Sequence, residues 1–185
     1  MSTLARRRTA TGWFAAVLTA LALAGCGGSS SVAPAKYVHV MCGALGNWKS
    51  DIQRAGSKLQ TSGAANSSRE VAKRDYQQFV SSLLAATQRA ATALRSAGRP
   101  AVDGGTQIAD GLANAFDGAS HQLARASSQA GSISTASAST FQLGASSVTT
   151  RIKSALQGIA SVKPSQSAEL RAAAAKDPAC QVLRG

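Results

Sequence analysis

Residues 36–61 read KYVHVMCGALGNWKSDIQRAGSKLQT, and their apolar positions Val38, Met41, Leu45, Trp48, Ile52, Ala55 and Leu59 alternate at spacings of three and four. That period is the seam of a long amphipathic helix with one face buried against a neighbour. A break follows at 62–66, and Ser67 with Glu70 forms a capping-box pattern for a second helix. Tyr76, Phe79, Val80, Leu83, Leu84, Ala90 and Leu94 carry the same period until Gly98, Arg99 and Pro100 stop it. A third stretch, 102–129, runs through Ile108, Leu112, Phe116 and Leu123, and the low-complexity GSISTASAST at 131–140 is a turn. A fourth carries Phe141, Val148, Ile152, Leu156 and Ile159 until Pro164 bars it, and a short fifth helix at 167–176 ends at Asp177-Pro178. Four helices of about 25 residues, each about 37 Å long, with short connections, predict an all-α, up-down-up-down four-helix bundle with a short C-terminal fifth helix.

Composition points the same way. The 185 residues are 44% hydrophobic but only 4% aromatic. Ala supplies about a fifth of the chain and β-branched residues are sparse, which favours helix over sheet. The apolar content suffices for one core, which argues against wholesale disorder and against a multidomain machine.

Ahead of the helices, Arg6, Arg7 and Arg8 precede an apolar run at 13–24, the charged and hydrophobic regions of an export signal. The run is too short to span a bilayer comfortably. It ends in Leu23-Ala24-Gly25-Cys26, which resembles a bacterial lipobox. The resemblance implies that residues 1–25 are a lipoprotein signal peptide, and that Cys26 becomes an acylated N-terminus holding the protein at the outer face of the cell membrane. Residues 26–35 then read as a lipidated flexible tether and 36–185 as the helical domain. With Cys26 lipidated, Cys42 and Cys180 remain, and in an oxidising compartment a disulfide between them is the natural reading. The competing reading is two free thiols, or a soft-metal site of His39, Met41 and Cys42. Those three lie within four consecutive positions, where one helix cannot converge them on one ion, so no metal or cofactor is expected.

The formal charge is +12; taking the three leader arginines from 20 bases leaves 17 against 8 acids, or +9. Outside the membrane the anionic partners for such a surface are lipid headgroups, an envelope polymer or a membrane protein, and nucleic acid is not expected. In the bundle, Lys58, Arg69, Lys73, Arg74, Arg151 and Lys153 should cluster at the tip away from the membrane. Lys36, Arg95, Arg99, Lys163, Arg171, Lys176 and Arg184 belong to the membrane-facing end.

The third helix carries a seven-residue repeat, Asp103-Gly104, Asp110-Gly111 and Asp117-Gly118. On a helix the three carboxylates form a stripe with about 10.5 Å between members, too far apart to share one metal ion. They suit bases on a neighbouring helix, while Gly104, Gly111 and Gly118 permit close backbone approach or leave a shallow groove. No GxSxG, P-loop, HExxH or paired-cysteine zinc pattern occurs, and the histidines are His39 and His121. A Ser-His-Asp site would have to assemble from His121, Asp117 and some serine, and no enzymatic activity is expected.

The lipobox Cys26, the opening Tyr37-Val38 to Cys42 and Trp48, and the closing Pro178-Ala179-Cys180 together resemble small secreted lipoproteins of actinobacteria. The resemblance implies a membrane-anchored extracytoplasmic lipoprotein and assigns no functional residue except Cys26. The leading expectation is a basic helical interaction module for an envelope component or membrane protein. The alternative is a carrier of a lipid or small hydrophobe, which needs an apolar cavity between the glycine-bearing third helix and its neighbours.

Overall fold

The structure, a computed structural model, describes residues 31–62, 68–162 and 167–184. Cys26 and the leader, together with Ser67 and Lys163, lie outside the described residues. The fold is all-α. Four long helices, α1 (Pro34–Thr61), α2 (Arg69–Ser96), α3 (Gly105–Gly131) and α4 (Ala138–Ala160), are followed by short α5 (Ala168–Lys176) and α6 (Pro178–Arg184). A two-residue parallel pairing of β1 (Ser31–Val32) with β2 (Arg99–Pro100) accompanies them.

Several boundaries differ from the sequence expectation, each for a local reason. Pro34 opens α1 in its first turn, where a fixed φ suits the helix and no N–H is required. Just before it, Ser31 and Val32 are held beside Arg99 and Pro100, and the Ala101 amide donates to the Val32 carbonyl at 2.8 Å. The stretch expected as free tether through residue 35 is therefore anchored from Ser31 onward. The cap of α2 is Ser68, whose hydroxyl accepts from the Val71 amide at 3.4 Å.

Helix α3 starts two residues after Asp103, because Gly104 sits in the left-handed region at φ 69° and a Cβ on Gly105 would collide with the Pro100 carbonyl. Asp103 and Gly104 thus lie in the preceding turn, and the expected stripe of three carboxylates on one helix reduces to Asp110 and Asp117. Pro178, expected only as a stop, opens a sixth helix. Asp177 turns the chain into it by accepting the Ala179 amide at 2.8 Å.

The long helices pack in chain order, α1 on α2, α2 on α3 and α3 on α4, while α5 and α6 lie on α1. Val80, Leu83, Leu123 and Val148 form the tightest part of the core, between α2, α3 and α4. A second cluster joins Ala44, Ala90, Leu94 and Phe116, with Trp48 edge-on to Phe116 at 5.2 Å between ring centroids. Buried Thr87 accepts the Trp48 Nε1–H at 3.2 Å and donates its own proton to the Leu83 carbonyl at 2.8 Å, so neither polar group is left unsatisfied. A third cluster gathers Tyr37, Val38, Ala97 and Leu170 around the Cys42–Cys180 disulfide. That bond joins α1 to α6 across 138 residues of sequence, with the two Cα atoms 5.0 Å apart.

Candidate ligand cleft and basic surface

Where α1 and α4 would meet, they do not pack along their lengths, and a cleft of about 800 Å³ opens instead. Met41 and Leu45 of α1, Ile108 and Leu112 of α3, Ile159 of α4 and Leu170 of α5 line it, so the wall is predominantly apolar. Such a volume and lining fall within the range of small-molecule sites. Gly111 lies in the wall, and a Cβ built on it meets nothing within 4 Å, so the missing side chain contributes directly to the open space.

Two polar features interrupt the apolar wall. Tyr37 is 1% exposed, its hydroxyl has no hydrogen-bond partner among the described residues, and burial pushes its pKa up, so it remains a neutral donor. Arg171, on the exposed side of α5, borders the cleft with no carboxylate at ion-pair distance among the described residues. The other side of the same end holds a polar hollow lined by Ser31, Arg99, Asp103 and Glu169, and Gln107 borders both spaces. The first described residue of the chain therefore emerges beside the cleft.

The three glycines of the repeat do not form one groove. Gly111 opens the cleft, Gly104 lies in the polar hollow, and Gly118 faces open space outside both. Close backbone approach, expected at these positions, occurs instead at Gly105. The remaining stripe carboxylates meet bases of the α2 end: Asp117 pairs with Arg95, and Asp110 lies 3.8 Å from Arg99. Asp117 is thereby engaged away from the exposed His121.

The basic residues expected at one tip line more than one surface hollow. Arg69 and Lys153 border one shallow depression, of about 590 Å³, with Phe141 and Thr149. Arg69 is fixed there by donating from Nε to the Thr135 carbonyl at 2.7 Å. Arg151 instead donates to the Gln129 side chain at 3.2 Å, and Lys58 lies in a small recess beside Asp75 between α1 and α2. Lys73 and Arg74 border neither hollow.

At the disulfide end, a pair absent from the sequence reading stands out. His39 Nδ1 lies 3.0 Å from Asp177 Oδ2, one turn before each cysteine of the bridge. His39 and Cys42 are three apart on α1, as are Asp177 and Cys180, so the bridge places the second pair in register as well. With Cys42 in the disulfide, its sulfur is no longer a thiolate ligand, which removes the alternative site of His39, Met41 and Cys42. No helix among the described residues is long and apolar enough to cross a membrane. Compared with known protein families, curated proteins and solved structures, the chain matches none.

Proposed function

We propose that this chain is a membrane-anchored extracytoplasmic lipoprotein whose helical domain binds a lipid or small hydrophobic ligand in the cleft between α1, α3, α4 and α5. The observation that carries the reading is an apolar cleft of about 800 Å³ lying where Gly111 leaves space. Burying apolar ligand surface at roughly 25 cal/mol per Å² supplies affinity without any catalytic group. Two acyl chains on Cys26 would give stable anchoring, since one chain alone is marginal.

Because Ser31 is already held by β2, only residues 26–30 remain as tether, about 16 Å when extended. That length keeps the disulfide end and the cleft close to the membrane, where hydrophobic ligands partition.

The domain is read as an up-down-up-down bundle. Contacts march in opposite directions along α1 and α2: Trp48 meets Thr87 while the later Lys58 shares a recess with the earlier Asp75. Likewise Asp117 meets Arg95, whereas the later Gly131 lies beside the earlier Gln77. A second reading, a basic module for an anionic envelope polymer or membrane protein, is supported by the Arg69–Lys153 depression around Phe141.

The test is native mass spectrometry of the lipid-anchored chain gently extracted from its own membranes. A defined extra mass is expected on the wild-type chain and should be lost in Gly111→Leu, where the new side chain fills the cleft without meeting protein atoms at its Cβ. A bare wild-type chain overturns the carrier reading.

A further inference from the structure

We propose that the cleft selects a single-chain amphiphile with an anionic head, a free fatty acid, its chain along Met41, Leu45, Ile108 and Leu112 and its carboxylate at Arg171. The inference rests on the carrier reading and adds the chemical class of the ligand.

Two independent observations support a polar head, and the first of them an acidic one. Arg171 borders an otherwise apolar space, and no carboxylate of the described residues neutralises it. Of the other arginines with described side chains near this end, Arg95 pairs with Asp117 and Arg99 lies towards Asp110. Guanidinium presents paired N–H donors that match a carboxylate, and an ionised pair of this kind forms stronger hydrogen bonds than a neutral one. The second observation is the Tyr37 hydroxyl, a donor in the same wall without a protein acceptor among the described residues; since no fully buried polar side-chain atom among them lacks a partner, this hydroxyl is open to the cleft. A pure hydrocarbon would satisfy neither group. The strong net positive charge of the chain further favours approach of an anion over a neutral or cationic amphiphile.

The apolar lining comes from Met41 and Leu45 on one side and Ile108 and Leu112 on the other, with Gly111 between. Replacing Gly111 by Leu should raise rather than lower helix propensity, so loss of binding in Gly111→Leu cannot be attributed to a weakened α3.

The experiment uses the full chain in nanodiscs of phosphatidylcholine, exposed to palmitic acid carrying a terminal photoreactive diazirine, with labelled peptides mapped after irradiation. Labelling is expected on α1 and α3, and unlabelled palmitate should compete at least about tenfold better than hexadecanol, the advantage of a charge-assisted hydrogen bond. Arg171→Gln should erase that preference while leaving competition by hexadecanol unchanged, and Gly111→Leu should abolish labelling. Equal competition by acid and alcohol, with labelling in place, overturns the acidic head and leaves the carrier reading standing. Absence of labelling on α1 and α3 overturns both. Labelling that appears only after Cys26→Ser assigns the cleft to the chain's own lipid and overturns the proposal.

Discussion

The seam between α2, α3 and α4 and the seam between α1 and α4 are built from the same Ala-rich sequence, yet one is closed and the other open. In the first, Val80, Leu83, Leu123 and Val148 have exposures of 0 or 1%. Branched and long side chains from three helices fill the shared space to the density of a protein interior. In the second, Gly111 presents no side chain and Ala160 and Ala174 present only methyl groups, so the larger residues line a gap rather than interdigitate. The open side is held by other means: α5 and α6 lie on α1, and the Cys42–Cys180 bond fixes that arrangement. An alanine-rich helical domain thus closes by packing where bulky residues converge and by a covalent link where they do not.

Breaking the link tests the difference most severely. Cys42→Ala combined with Cys180→Ala releases a loop with a sequence separation of 138, for which the chain-entropy account gives a loss of more than about 4 kcal/mol. Denaturant unfolding monitored by helical circular dichroism reads that loss, and the freed α5 should also open the wall of the cleft that Leu170 and Ala174 supply. A change below about 1 kcal/mol would show that packing alone holds the open side. A pair of core truncations then measures the closed side against the open one. Leu123→Ala removes a side chain that is 0% exposed and should cost about 3 kcal/mol. Leu112→Ala, at the cleft wall, mainly enlarges a space already present and should cost about 1 kcal/mol. Equal losses at the two positions would mean the cleft is packed shut in solution.

Much of this was legible in the residues. The three-and-four spacing placed all four long helices, and the count of cysteines led to the bridge that the structure shows between Cys42 and Cys180. The elements missed were those whose signal is not periodic. The β1–β2 pairing consists of two residues on each side and joins positions 68 apart, Ser31 with Arg99, too short for any alternation to register. The start of α3 depended on Pro100 approaching Gly105, a tertiary contact that overrode the seven-residue Asp-Gly repeat. Pro178 was read as a terminator because proline stops a helix from its interior, but the same residue is well placed in a first turn. The cleft was anticipated as a requirement of the carrier reading, with glycines near it. That Gly111 borders it while Gly118 does not follows from position along α3: the two share a face about 10.5 Å apart, and the cleft runs along the first turns only, an extent that a repeat of seven cannot specify.

The smallest expected effect lies at the clasp beside the disulfide, and it distinguishes the stapled end by pH. Burial raises the Asp177 carboxyl, but hydrogen bonds from His39 and from the Ala179 and Cys180 amides outweigh it and hold the group below its ordinary value. A depressed acid contributes stability that is present above the unfolded carboxylate range, near about 3.9, and is lost as pH falls through the lower folded value. Asp177→Asn retains the shape while removing this titration. The stability difference between wild type and variant should therefore shrink on acidification below about pH 4. Thermal unfolding midpoints collected down that range provide the measurement. On the closed seam, Tyr76 bridges to Thr149 at 2.6 Å with no carboxylate involved, so Tyr76→Phe should shift the midpoint by the same amount throughout the range. Parallel curves for Asp177→Asn and Tyr76→Phe would mean that the clasp contributes no charge-dependent stability, and that the covalent bond alone distinguishes the two ends.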